Sequence, residues 1–127
     1  MLKNAQIVPY IPVADVARAR KFYEGKVGLK PIEEYAGGVI YECGSGSWVF
    51  VYPSAGAGTS KASTAFWAVT DVAAEVAELK ARGVVFEEYD MPGIKMENSI
   101  ASAWGAKTAW FKDSEGNILA VSQRVSS

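Results

Sequence analysis

At 127 residues the chain has the length of one domain, and 50% hydrophobic residues are enough to build a core. Thirteen basic and 14 acidic residues leave a net charge of −1, intermixed along the chain, so there is no clustered basic face for nucleic acid or for a membrane surface. Histidine is absent, which removes every Ser–His or Cys–His nucleophile and every histidine-based metal shell; the single cysteine, Cys43, can make no internal disulfide.

In chain order, Gln6 to Val13 alternates as a strand. Asp15 then stands where an N-cap oxygen would sit, and Val16, Ala19, Tyr23 and Val27 mark one helical face. Gly28 follows as a left-handed cap. A short strand is expected at Lys30–Glu34. A hairpin, Gly38–Cys43 and Ser47–Tyr52, closes around Gly44-Ser45-Gly46. The small, polar stretch Ser54 to Ser60 reads as a linker.

The same unit then recurs. Val13-Ala14-Asp15-Val16-Ala17 returns as Val69-Thr70-Asp71-Val72-Ala73, between a strand at Ser63–Val69 and a helix marked by Val72, Val76 and Leu79 and capped by Gly83. A strand at Val84–Glu88 and a hairpin, Lys107–Lys112 and Asn117–Ser122 around Asp113-Ser114-Glu115-Gly116, complete the copy. Residues 89–106 are an extra loop holding Met91, Ile94, Met96, Ile100 and Trp104, which needs a surface to lie on and reads as a lid or an interface. The division expected is module 1 over 1–53, a linker over 54–62 and module 2 over 63–127, in one domain. With no long apolar run and no apolar region after Lys3, the expectation is a cytoplasmic protein.

Ile11-Pro12-Val13-Ala14-Asp15, Phe22-Tyr23-Glu24 before Gly28, and Asp113-Ser114-Glu115-Gly116-Asn117 together resemble the vicinal oxygen chelate superfamily, which includes glyoxalases, bleomycin-resistance proteins and extradiol dioxygenases. The resemblance covers nearly the whole chain. It implies an α+β fold in which two βαβββ modules form a curved mixed sheet with a concave ligand face and helices on the convex side, often in a homodimer. It also implies four metal-ligand positions, seven residues before each capping aspartate and on the last strand of each module. Here these are Val8, Phe50, Thr64 and Ala120. One neutral hydroxyl among four is a poor anchor for a divalent cation, so neither a metal nor another cofactor is expected.

Strand alternation assigns the concave face instead to Tyr10, Trp48, Phe50, Tyr52, Thr64 and Phe66, with Trp104 closing over it; Ile11, Val13, Val49 and Val51 face the helices. Aromatic rings with polar tips suit a flat or apolar small molecule. The expectation is a metal-independent binding protein of the bleomycin-resistance type, with no catalytic residue assigned. Its alternatives are a glyoxalase-like lyase or dioxygenase-like enzyme using an atypical metal site or an acid/base residue, and an assembly module with the aromatic face buried between subunits. The run from Gly56 to Lys61 lacks phosphate-loop spacing, and Cys43 lacks an activating partner.

Overall fold

The computed structural model describes Met1 to Val125. The first module comprises β1 (Tyr10–Val13), α1 (Val16–Arg20) running into a π-helical turn (Lys21–Lys26), β2 (Lys30–Tyr35), β3 (Gly38–Glu42) and β4 (Trp48–Pro53). The second comprises β5 (Ser63–Ala68), α2 (Val72–Ala81), β6 (Lys95–Glu97), β7 (Ile100–Ala103), β8 (Ala106–Lys112) and β9 (Ile118–Arg124). The α+β class and the paired modules stand as expected. The strands form two sheets, ordered β1-β4-β3-β2 and β5-β9-β8-β7-β6. No hydrogen-bonded ladder joins β1 to β5 among the described residues.

Both helices start as the sequence dictates. Asp15 accepts from the Arg18 amide at 3.0 Å and Asp71 from the Ala74 amide at 3.1 Å, each satisfying an amide that has no partner within its helix. The first helix departs from a regular α pattern at Lys21. The Val27 amide bonds back to the Phe22 carbonyl, five residues earlier. The widened turn lets adjacent Phe22 and Tyr23 both enter the core, where they are 8% and 0% exposed.

Burial follows the alternation. Ile11, Val13, Val39, Tyr41, Val49 and Val51 of the first sheet join Ala109, Phe111, Leu119 and Val121 of the second, with side chains of both helices, in one apolar cluster. The modules meet through these helix-bearing faces. Phe22 of the first helix lies 6.3 Å from Phe111 of β8, and Lys26 Nζ donates to the Gly83 carbonyl at the end of α2. The other face of each sheet, the outer face, therefore lies on the outside of the chain.

Three expected elements differ. The first strand begins at Tyr10 instead of Gln6, although the Pro9 carbonyl still accepts from the Phe50 amide. Val84–Glu88 is not a strand: only Phe86 bridges, to Phe111. The loop at 89–106 is a hairpin, β6 and β7, running into β8. These last two differences are one event. Between Phe86 and Ala101 the chain advances 15 residues, while its partner retreats only 3, from Phe111 to Thr108. The second module's edge strand is thus interrupted by 12 extra residues and then resumes. The first module has a slip of one residue at the corresponding place, between Pro31 and Glu33.

Candidate functional site

The outer face of the first sheet is built row by row from strand register. Tyr10 pairs with Phe50, Phe50 with Ile40, and Ile40 with Glu33. In the next row Pro12 pairs with Tyr52, and Tyr35 with Gly38. Alternation leaves all of these on one side, because their neighbours Ile11, Val39, Val49 and Val51 fill the core. Phe50 is the floor at 5% exposure, ringed by Tyr10 at 5.1 Å, Tyr35 at 5.6 Å and Tyr52 at 5.8 Å. Tyr10 and Tyr52 also meet, at 4.9 Å. The Phe50 ring leans over Gly38, where a Cβ would come within 2.9 Å of it and 2.1 Å of the Val51 carbonyl oxygen.

Of the seven residues expected from the sequence, three, Tyr10, Phe50 and Tyr52, gather in this patch. Trp48 and Phe66 line a different space, an apolar cleft of about 260 Å³ between the first sheet and β5, together with Ile7, Pro9, Cys43 and Trp67. Thr64 sits alone in a β-bulge between Ser63 and Ala65. Trp104 lies apart from both, on the tight turn between β7 and β8, 91% exposed and with a positive φ of 50°. It borders a cavity of about 160 Å³ with Met91, Ile94, Trp110 and a floor of small residues. Tyr89 packs edge-on to Trp110 at 5.5 Å beside it.

Tyr35, Tyr89 and Trp110 are not among the site residues expected from the sequence. Tyr35 had a signal: Ala36-Gly37, with φ of 47° and 84°, forms a two-residue hairpin turn that sets Tyr35 opposite Gly38. Trp110 had another, since it shares the alternation of Thr108 and lies opposite Ala120.

Phe50 and Ala120 are equivalent positions, paired with Tyr10 and Phe66 of the strand that opens each module. With Val8 and Thr64 they are the four positions that the resemblance assigns to metal ligands. Their chemistry does not fit a divalent cation: three are hydrocarbon, and the Phe50 ring fills its own site. Among the described residues no three Cys, Asp or Glu side chains converge on a point elsewhere.

The Asp113–Asn117 turn of the second module, part of the motif that carried the resemblance, is built into the contact between modules. Asp113 accepts from the Tyr23 hydroxyl and from Asn117 Nδ2 at 2.8 Å, and Asn117 Nδ2 also donates to the Pro12 carbonyl at 2.7 Å. Glu115 accepts from the Ala14 and Asp15 amides, both at 3.0 Å, and from the Arg18 guanidinium. The Arg18 hydrogen bond, with the amide of Asp15 and the hydroxyl of Ser114, holds the Glu115 carboxyl at about 2 against the cost of its burial. Burial first, then the Asp113 charge, pushes the Tyr23 phenol well above its ordinary range.

A family model described as Glyoxalase/Bleomycin resistance protein/Dioxygenase superfamily matches residues 5–121. No curated protein matches the chain. Among solved structures, a bleomycin-binding protein complexed with bleomycin matches with a TM-score of 0.71 at 21% identity, over 95% of this chain and 99% of that one. A glyoxalase/bleomycin resistance protein/dioxygenase from Alicyclobacillus acidocaldarius matches at 0.71 and 18%, over 97% and 93%. TnmS3, an antibiotic binding protein from Streptomyces sp. CB03234, matches at 0.63 and 22%, over 95% and 98%. At these identities the likeness is one of fold.

Proposed function

Because this chain belongs to the Glyoxalase/Bleomycin resistance protein/Dioxygenase superfamily, we propose that it is a metal-independent small-molecule binding protein that holds a flat or apolar ligand on its aromatic outer faces. One observation carries the reading. Phe50 occupies a position that metal-using relatives give to a ligand, and three tyrosines surround it with their rings partly open to solvent. Such a surface binds by stacking and by phenol hydrogen bonds, with no need of a cation. Two proteins of the same fold, one complexed with bleomycin and one an antibiotic binding protein, support ligand binding as the general role.

The two outer faces do not meet within one chain, so each is half of a larger surface. We infer that a second copy completes it, with the free edges of β1 and β5 and the exposed Ile7, Phe66 and Trp104 in or near the contact. The same exposed residues favour a second reading, in which assembly is itself the function.

Calorimetric titration with bleomycin and a set of flat aromatic compounds tests the first reading. Saturable binding that weakens at least tenfold in Tyr10→Ala and Phe50→Leu supports it. A dimer that binds nothing in the set supports assembly. A stoichiometric response to Zn²⁺, Ni²⁺, Mn²⁺ or Fe²⁺ overturns the metal-independent part.

A further inference from the structure

We propose that the group seated on the tyrosine patch of the first sheet is an organic cation, specifically an alkylated ammonium; this rests on the binding reading and names its ligand class. The faces of aromatic rings carry negative potential, and quaternary ammonium groups are recognised by several such faces at once. Tyr10 and Tyr35 are 60% and 56% exposed, with Tyr52 partly open between Tyr10 and the Phe50 floor. None of these rings is occupied by a cation of the chain among the described residues. Among the described residues the cation–ring contact is elsewhere, Lys80 over Phe86 at 6.0 Å.

The charge on this face points the same way. Three carboxylates lie on β2 and β3, and two of them face a cation, one in an ion pair and one only across the ladder. Glu34 turns to the helix side and pairs with Arg20 at 3.0 Å, and Glu42 stands directly across from Lys30. Glu33 remains. It is exposed, makes no ion pair among the described residues, and shares the row of Ile40, Phe50 and Tyr10. The outer face of the second sheet has the opposite character: its charged positions are Lys112, paired with Glu87 at 3.6 Å, and Arg124. With Lys112 neutralised by Glu87, Arg124 is the charge left on the second face, so an ammonium is drawn to the first sheet's half of the surface, a preference that apolar contact alone would not give.

The test compares benzyltrimethylammonium with neopentylbenzene, its uncharged isostere, by chemical-shift titration of the full chain in one buffer and cosolvent. The cation is expected to bind at least tenfold more tightly, with shifts at Tyr10, Tyr35 and Tyr52, and the preference should fall several-fold in Glu33→Gln and at high salt. Glu33 is a surface side chain, so this variant keeps the fold, which circular dichroism verifies. Equal affinity for the two probes, or tighter binding of the neutral one, overturns the cation assignment while leaving the binding reading intact. Binding of the cation that is unchanged in Glu33→Gln and in Tyr35→Leu also overturns it, because the site then lies elsewhere. If neither probe nor any compound of the flat aromatic set binds, the binding reading falls, and the cation assignment with it.

Discussion

Glu115, in the last turn of the second module, holds Arg18, in the first helix of the first module, through two charge-assisted hydrogen bonds of 2.7 and 2.8 Å. The same carboxylate receives the amides of Ala14 and Asp15, so a residue about a hundred positions away completes the start of that helix. The repeated modules are thereby fastened at the point where the first helix begins.

Replacing Glu115 by Gln removes the charge and keeps the shape. Against an ordinary glutamate, a carboxyl held at about 2 corresponds to about 3 kcal/mol in full, and about 1–2 kcal/mol once the half-exposed Arg18 is screened by solvent. The carboxyl is depressed in the folded state, so its contribution is complete above the ordinary glutamate value of 4.5 and is lost as pH falls toward about 2. Thermal melts from pH 7 down to pH 2 should show a constant gap between wild type and Glu115→Gln down to about pH 5 that then closes. A gap independent of pH would mean that the carboxylate charge is not what matters.

Gly38→Ala should be severely destabilising, by about 2–3 kcal/mol or more, because the new methyl meets backbone at Val51 and the Phe50 ring at once. Gly44→Ala is the control, since nothing lies within 4 Å of its added carbon. Urea denaturation of the two variants measures the contrast. Similar midpoints would remove the close packing of Phe50 over Gly38 as a requirement of the fold.

Trp104 occupies a left-handed backbone position that asparagine or glycine fills at lower cost, and it exposes 91% of its surface. Trp104→Asn should therefore raise stability by about 0.5–1 kcal/mol, read as a higher Tm. If Trp104 closes on a ligand, the same change weakens ligand binding. Higher stability with unchanged binding and a weakened dimer would assign Trp104 to the subunit contact.

Deleting residues 89–100 should leave a folded protein. Glu88 would join Ala101, and because 12 residues are the excess in register, the edge strand would then run unbroken along β8, with its side chains on their present faces. Amide exchange across β8 should stay protected, and the cavity beside Trp110 should be lost. Collapse of the fold on deletion would show that the inserted hairpin supports the second sheet instead of decorating it.

The face of each strand and the ends of both helices were legible in the residues, because both depend on short range. A period of two separates Ile11, Val49 and Val51 from Tyr10, Phe50 and Tyr52, so the core and the aromatic patch could both be read before any fold was known. Asp15, Asp71, Gly28 and Gly83 marked the helix ends, because caps are local chemistry. The tertiary structure alone decided what depends on distant partners. Val84–Glu88 carries strand-like residues, yet only Phe86 finds a partner before the chain leaves for the inserted hairpin. Trp48, Phe66 and Trp104 share the aromatic character of the patch and lie elsewhere, because alternation sets the face of a sheet and not which sheets adjoin. The Asp113–Asn117 turn reads in the sequence as a hairpin turn and as part of the family motif, with no partner assigned to its side chains. Its acids act on Tyr23 and Arg18 because the modules pack through their helix-bearing faces, a relation that no spacing along the chain encodes.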